Sequence, residues 1–286
     1  MLIAVLHLRL REMSKKYNLE KAKKLIKQSR ERGAKLVILP SLFPFGNLLG
    51  IYDNEKRLRS IVKNLAEKIP SSSSDTIVNL ATEAEVHVIS GPILEQAGPK
   101  IFLTTLIVSP QGEIIGKYRK IAVTEREIRL GIASGKEPVN ILLDRKYGLI
   151  SEEDLFSPEI NRLLALSGSN IIISTMKPLS RKHDIVKYFS IARTIENGIP
   201  YIIAGGIIEN EQGDMIGYSP TLVAEPDSLI YKEAEDDDSI VYVESSVLTQ
   251  SKNQDRELHQ LSTVISGLCK NYKKIKSEKE NHEEAT

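Results

Sequence analysis

The chain has 286 residues, of which 41% are hydrophobic and 27% are charged, as expected of a globular protein with a sizeable core. Its 39 basic and 38 acidic residues leave a formal net charge of +1, which excludes strong electrostatic attraction to nucleic acid or to an anionic membrane. No apolar run reaches the roughly 20 residues of a membrane span. The single cysteine, Cys269, cannot form an internal disulfide, so we expect a cytoplasmic protein and an inert thiol. Plentiful lysine, glutamate and isoleucine without tryptophan favour a thermophilic source.

Strand-like and helix-like segments alternate along the chain, which predicts an α/β protein with mixed β-sheets. Strands are predicted at residues 2–8, 36–39, 86–93, 103–109, 113–118, 148–151, 170–174, 201–208, 217–223 and 239–244. Helices are predicted at residues 18–32, 57–69, 158–167 and 187–196, with Asn18 as the cap of the first. A turn at Pro226-Asp227 joins the last two strands. The Lys- and Glu-rich tail from about Lys270 is either disordered or a solvated helix.

Two segments early in the chain carry candidate site residues. Ser41 follows Pro40 at the end of a predicted buried strand, ahead of a loop that contains Gly46 and Asn47. Open α/β sheets usually build their sites at such carboxyl ends of strands. Lys120 closes a basic cluster after the predicted hairpin, and Glu125 and Glu127 follow it. Taken alone, the first segment is typical of a strand exit and the second of a solvated face.

Two later segments also carry charged residues. Taken alone, the first is equally open between two interpretations, and the second is typical of a helix C-terminus with a stop at Asn197-Gly198. Glu152, Glu153 and Asp154 follow an apolar strand directly. They form either the acidic N-terminus of a helix or a strand-to-helix elbow that holds reactive groups at a cleft. Arg193 and Glu196 lie three residues apart on one predicted helix and can pair. The histidines show no metal-ligand spacing and no phosphate-binding loop is present, so neither metal nor cofactor is expected.

The order and spacing of these four segments resemble the nitrilase, or carbon–nitrogen hydrolase, superfamily over residues 1–250. The resemblance implies a four-layer α–β–β–α sandwich, commonly paired into a dimer, with a C-terminal extension over residues 251–286. It also implies a chemistry that uses a Glu general base, a Lys and a Cys nucleophile, often with a second Glu, to hydrolyse nitriles, amides and ureido acids.

The family positions carry over residue by residue, and two of them have changed. Lys120 occupies the Lys position, and Glu127 fits the second Glu seven residues later. Ser41 stands at the position of the general base. Counting four residues from Gly148, and six back from Pro158, places Glu152 where the Cys should be. Further scaffold positions match the family at Asp154, Pro158, Glu159, Arg162, Arg193, Glu196 and Asn197, whereas Gly206 replaces the Asn that often ends the next strand.

These replacements predict that thiol-dependent amidase or nitrilase activity is absent. A carboxylate is a far weaker nucleophile than a thiolate, and a serine hydroxyl is no general base at neutral pH. Because the carboxylate has in effect moved from residue 41 to residue 152, we expect Glu152 to pair with Lys120, with Glu127 nearby. Lys120, Glu152, Ser41 and Glu127 are therefore the predicted catalytic positions, and Glu153, Asp154 and Ser151 the predicted substrate-binding ones.

Three functions remain open from the sequence. The first is an inactive homologue that keeps the fold, a homodimeric or higher state, and a small-molecule site for an amide or carboxylate. The second is an active hydrolase of amide-type C–N bonds that uses Glu152, or Ser151 in a slipped register, with Lys120. The third is a non-catalytic subunit or scaffold that pairs with an active homologue. None of them involves nucleic acid or a membrane as partner.

Overall fold

The computed structural model describes residues 1–46, 49, 54–178, 184–235, 237–251 and 258–283. The chain divides into two compact units, Met1–Gln250 and Ser251–Thr286. Asn47, which belongs to the predicted glycine loop, lies outside the described residues. We call the first unit the domain.

The first sheet has nine strands and contains both parallel and antiparallel pairs. Its strands are β1 (Leu2–Arg11), β2 (Leu36–Ile38), β3 (His87–Ile89), β4 (Ile93–Ala97), β5 (Lys100–Val108), β6 (Ile114–Arg119), β11 (Gly206–Glu209), β12 (Met215–Ser219) and β15 (Ser239–Glu244). The order is β12-β11-β1-β2-β3-β5-β4, with β15 paired to β1 and β6 paired to β5. The central pairs β11–β1, β1–β2 and β2–β3 are parallel, and the outer pairs are antiparallel.

The second sheet has six strands: β7 (Val139–Leu142), β8 (Lys146–Ser151), β9 (Ile171–Thr175), β10 (Tyr201–Ala204), β13 (Leu222–Glu225) and β14 (Leu229–Glu233). Their order is β14-β13-β10-β9-β8-β7, and β8, β9 and β10 run parallel. The carboxyl ends of β8 and β9 therefore meet at one edge of the sheet, with Ser151 opposite Thr175.

Six helices lie in the described part of the domain. They are α1 (Lys15–Glu31), α2 (Glu55–Leu65), α3 (Ser72–Ala84), α4 (Glu125–Arg129), α5 (Pro158–Leu166) and α6 (Ile185–Asn197). Short 3-10 turns follow β8 at Glu152–Phe156 and β15 at Ser245–Val247.

The alternation of side chains between the two faces of each strand determines which layers pack against each other. In β1, Ile3 and Val5 pack into one cluster with Leu149 and Ile173 of the second sheet. The intervening side chains of β1, among them Leu6, pack against α1 and α3 instead. On the second sheet, a third cluster joins β8, β9 and β10 to α5 and α6. Because side chains alternate between the faces of a strand, the layers stack as helix, sheet, sheet, helix, and the predicted four-layer sandwich is confirmed.

Several predicted boundaries were wrong. Asn18 does not cap α1, which begins at Lys15. Its buried side chain instead bonds the backbone N–H and carbonyl of Arg11 and the carbonyl of Pro44. The predicted strand at 201–208 is two strands that change sheet at Gly205, where a Cβ would lie 2.3 Å from the Ser219 carbonyl oxygen.

Other elements are shorter or additional. The predicted strand at 217–223 divides between the two sheets, and the predicted strand at 86–93 is only β3. Strand β14 interrupts the connection that was predicted as a simple turn. Helix α3 was not predicted; it begins with a capping box between Ser71 and Ser74.

The second unit contains one helix, α7 (Leu258–Glu283). The tail after Lys270 is thus helical and solvated, and Cys269, which lies just before it in the same helix, is exposed. Within the described ranges, no helix combines the length and apolar character needed to cross a membrane.

Candidate active site

The strand-to-helix elbow is formed where β8 ends. Ser151 is still extended, with φ −140° and ψ 130°, and Glu152 turns into the left-handed region at φ 54°. A non-glycine residue rarely adopts this conformation, which costs about 1–3 kcal/mol and is found mainly at functional sites. The turn directs Glu152 into the protein, where it is 0% exposed. Residue 152, and not residue 151, therefore stands at the tip of the elbow.

The slipped register that would make Ser151 the reactive group is wrong. Its hydroxyl lies between the sheets, 3.1 Å from the Thr105 hydroxyl and 3.2 Å from that of Thr175. Ser151 is fully buried and is engaged by these neighbours. Ser151 therefore contributes to the packing of the two sheets. This burial gives no support to the predicted substrate-binding role of Ser151.

Asp154 holds the elbow against the loop that follows β6. Its carboxylate accepts hydrogen bonds from the Tyr118 hydroxyl at 2.6 Å and from the backbone N–H groups of Ala122 at 2.6 Å, Ser151 at 3.0 Å and Ile121 at 3.2 Å. Burial raises the pKa of Asp154, although these hydrogen bonds oppose the rise. Because the side chain is buried and bonded by protein donors on both oxygens, Asp154 braces the elbow, and its substrate-binding role stays a prediction.

Lys120 lies directly after β6 and is 0% exposed. Its ammonium donates to Glu127 and Glu152, each at 2.8 Å, and to Glu153. The predicted pair between Glu152 and Lys120 is therefore confirmed, with Glu127 beside it. Glu127 is itself fixed in α4, where it forms a capping box with Thr124.

Ser41 faces the elbow from the other sheet. It follows β2, is 0% exposed, and donates its hydroxyl hydrogen to the Glu152 carboxylate. Gly91 allows this approach, because a Cβ there would lie 1.9 Å from the Pro40 carbonyl oxygen and 2.4 Å from the Ser41 Cα. The replaced base position and the replaced nucleophile position are thus hydrogen-bonded to each other.

Lys177 also belongs to this site, although it was not among the predicted site residues. Its ammonium lies 2.6 Å from Glu153, 3.3 Å from Glu127 and 3.6 Å from Glu152. Lys177 follows β9 by two residues. A signal was available, since a lone lysine just beyond a buried strand lies at the edge where parallel neighbours end.

We call these five side chains the ionic cluster: Lys120, Glu127, Glu152, Glu153 and Lys177. Its three carboxylates and two ammonium groups give a net charge of −1 (−3 and +2). Burial alone would lower the pKa of Lys120, but the carboxylates of Glu152, Glu153 and Glu127 outweigh it and raise that pKa. Burial would likewise lower the pKa of Lys177, and the same carboxylates again raise it.

Glu152 remains charged for the same reason. Burial by itself raises the pKa of its carboxyl, but the ammonium groups of Lys120 and Lys177 and the Ser41 hydroxyl lower it to about 2. At neutral pH Glu152, Lys120 and Lys177 are therefore all ionised. A buried carboxylate held by two cations and a hydroxyl is a weak base and a weak nucleophile.

Carboxylate oxygens of Glu127, Glu152 and Glu153 lie within 4.8 Å of one another, close enough for a shared metal ion. The Lys120 ammonium, however, donates to all three. A buried ammonium already supplies the positive charge that a cation would bring. Among the described residues, the cluster is therefore a closed ion network.

The fourth motif supports the elbow from α6. Arg193 is 5% exposed, pairs with Glu196 as predicted, and donates to the Leu155 carbonyl at 3.1 Å. It thereby fixes the 3-10 turn that follows Glu152. Asn197 bonds the Arg193 carbonyl at 2.9 Å, and Gly198 ends the helix in the left-handed conformation at φ 62°.

Comparison with known proteins gives the family. The model of the carbon–nitrogen hydrolase family matches residues 2–251. A nitrilase from Pyrococcus abyssi is 31% identical over 229 residues, which cover 79% of this chain and 82% of that protein. The omega-amidase NIT3 of Saccharomyces cerevisiae is 25% identical over 247 residues, covering 79% and 80%.

Solved structures show the same fold. An amidase from Nesterenkonia sp. AN1, with acrylamide added to its active-site cysteine, superposes with a TM-score of 0.74 at 19% identity. The match covers 91% of this chain and 98% of that one. The sandwich, the family match and the relatives agree, and the chain belongs to the carbon–nitrogen hydrolase family.

Proposed function

We propose that this protein is a carbon–nitrogen hydrolase homologue without thiol-dependent amidase or nitrilase activity. The observation that carries the proposal is the side chain at the elbow tip. Glu152 is a buried carboxylate, hydrogen-bonded by Ser41 and paired with Lys120. The chain's one cysteine lies in α7, outside the domain that carries the site.

The chemistry of the cluster supports the proposal. Attack on an amide or nitrile carbon needs a nucleophile with a free electron pair and a base to accept a proton. The Glu152 oxygens are directed at Ser41, Lys120 and Lys177. The Lys120 ammonium, which would stabilise developing negative charge, is already neutralised by three carboxylates.

Closure of the site supports the same conclusion. Ser41, Lys120 and Glu152 are each 0% exposed, whereas Glu153 and Lys177 have 23% and 15% of their side chains exposed. A substrate could therefore reach only the outer rim of the cluster. The ion pairs would have to break before a carbonyl carbon could reach residue 152.

A partner-binding role is consistent with the outer surface of α5 and α6. Large apolar side chains are exposed there: Leu163 by 48%, Tyr188 by 65% and Ile195 by 57%. Large exposed apolar patches mark interaction sites, and these three side chains lie on two helices that contact each other. We propose that this face carries a homodimer, or pairs the chain with an active homologue. Sedimentation of a Tyr188→Glu variant tests this, and an unchanged mass would contradict a role for this face.

The test of lost activity is a panel of amides, nitriles and ureido acids with wild-type protein and with Lys120→Ala. We expect no turnover above the uncatalysed rate in either. Turnover by the wild type that Lys120→Ala abolishes would overturn the proposal in favour of an active hydrolase with altered residues. Co-purification of the tagged wild type with a cysteine-bearing homologue would identify the subunit role.

A further inference from the structure

Helix α7 carries apolar residues at the spacing of a coiled coil. They follow one another at alternating intervals of three and four residues, at Leu258, Leu261, Ile265, Leu268, Tyr272 and Ile275. An average spacing of 3.5 residues places them in one narrow stripe along a helix. We call this stripe the seam. The next position of the repeat is Lys279, where the seam ends.

The described part of the seam is exposed. Ile265, Leu268, Tyr272 and Ile275 are exposed by 44%, 57%, 67% and 54%. The opposite face carries lysines, at residues 270, 273 and 274. Over residues 262–277, whose exposure the structure describes, the helix is therefore amphipathic, and its apolar side is exposed.

Such a helix needs a packing partner to be stable. Helices in water owe most of their stability to burial of an amphipathic face rather than to intrinsic propensity. In α7 the interior contains Gly267, which costs about 1 kcal/mol relative to alanine, next to the β-branched residues Val264 and Ile265. Intrinsic propensity alone therefore does not account for a helix of 26 residues.

We propose that α7 pairs with α7 of a second copy of this chain. A helix that packs on a globular surface usually presents an apolar stripe at least about 100° wide. The seam is narrower, with two apolar residues in every seven, which is the pattern of the contact between two helices in a coiled coil. A second copy of the chain has the same spacing of apolar residues, because its sequence is identical. The residues that flank the seam are uncharged at Ser262, Val264, Cys269 and Asn271. Over residues 262–271, two copies can thus approach without repulsion between like charges, whereas Lys276 and Glu278 flank the last turn of the seam.

This pairing is independent of the lost activity and of the face formed by α5 and α6. It makes a prediction about one residue in particular. Cys269 is the only cysteine of the chain, is exposed, and lies beside the seam residue Leu268. In a parallel, in-register pair of helices, which is the arrangement we propose, the two Cys269 thiols come within reach of a short bismaleimide.

The test uses the full-length chain and two neighbouring substitutions. Ile265→Glu places a carboxylate in the seam of both copies. Ser266→Glu adds the same charge on the opposite, exposed face. We expect a covalent dimer in the wild type, a yield lower by about ten-fold or more in Ile265→Glu, and a yield within about two-fold of wild type in Ser266→Glu, since like charges in a seam repel strongly.

Two outcomes would overturn the proposal. Equal yields in both variants would show that another surface brings the tails together. A wild-type chain that forms no covalent dimer, although Cys269 reacts with a monofunctional maleimide, would show that the helix is unpaired in solution. In that case, binding to phosphatidylserine vesicles that Ile265→Glu abolishes would identify a membrane surface as the occupant instead.

Discussion

Removing the Lys120 ammonium tests whether the ionic cluster holds the two sheets together at this edge. In Lys120→Met a side chain of similar length remains, but the cluster loses one of its two cations. Its net charge changes from −1 to −2, because three carboxylates then face only Lys177. Lys120 is 0% exposed, so water cannot replace the lost partner without rearrangement.

The expected loss is large. Breaking a buried ion pair by removing one partner costs about 3–5 kcal/mol. For a domain of this size each kcal/mol lowers Tm by roughly 2–4 °C, so Lys120→Met should lower Tm by about 6–20 °C. Differential scanning calorimetry at neutral pH, with chemical denaturation in urea, measures both quantities.

Two matched variants sharpen the result. Lys136→Met removes an exposed lysine and should change the free energy of unfolding by less than about 0.5 kcal/mol. The double variant Lys120→Met/Glu152→Gln removes the pair together and should recover part of the loss, because the two residues are in contact. A Tm for Lys120→Met within about 2 °C of wild type would refute the reasoning, as would a double variant whose loss equals the sum of the single losses.

Four further predictions concern the same edge of the sandwich. The pKa of Glu152 is lowered to about 2 in the folded protein, from about 4.5 in the unfolded chain. The ionised carboxylate therefore stabilises the fold above pH 4.5, and this stabilisation should be lost between pH 4.5 and pH 2, by up to about 1.4 kcal/mol per pH unit. Urea unfolding across this range should show a fall in the free energy of unfolding that Glu152→Gln flattens. Because the pKa of Lys120 is raised, its stabilisation is present below about pH 10.5 and should decline above that pH, and an alkaline unfolding series in which wild type and Lys120→Met fall in parallel would contradict this. Asp154→Asn should destabilise the domain by about 2–4 kcal/mol, and Tyr118→Phe, which removes one of its four donors, by about 1–2 kcal/mol; calorimetry showing the reverse order would argue against Asp154 as the brace of the elbow. Gly91→Ala should abolish soluble folded protein or lower Tm by more than about 10 °C, since its Cβ would overlap the Pro40 carbonyl oxygen; normal expression with an unchanged Tm would show that the strand edge can shift.

The register of the elbow could be predicted from the sequence because it depends on local spacing. Glycine at 148 and proline at 158 fix residue 152 from both sides without a gap. The ion pair with Lys120 followed from charge alone, since a buried lysine that has lost one carboxylate partner needs another. Both predictions rest on rules that act over a few residues or on a single pair.

What the sequence did not reveal depends on tertiary context. Lys177 enters the cluster only because β8 and β9 are adjacent and parallel, which the order of segments alone does not determine. Asn18 is a residue type that often caps a helix. In the structure its side-chain amide instead donates to the backbone carbonyls of Arg11 and Pro44, which only the tertiary fold brings near it. Helix α3 is an exception: it begins in a run of serines, but its buried Ile77, Leu80 and Ala81 have the spacing of a helix, so it could have been predicted from the sequence.

The most direct test of the central claim is to exchange the two altered positions. In Ser41→Glu/Glu152→Cys the carboxylate returns to residue 41 and a thiol takes the elbow tip, so the charge of the cluster is unchanged. The two side chains are already in hydrogen-bond contact, which gives the longer side chain at 41 the space vacated at 152. Cys269→Ser in the background leaves the introduced thiol as the only one.

The rate of amide and nitrile hydrolysis by this variant and by the wild type is the decisive measurement. We expect no turnover in the wild type, and in the exchanged variant a turnover that iodoacetamide stops by alkylating the introduced thiol. Wild-type hydrolysis that Glu152→Gln abolishes would contradict the account, because it would make the buried carboxylate itself the catalytic group.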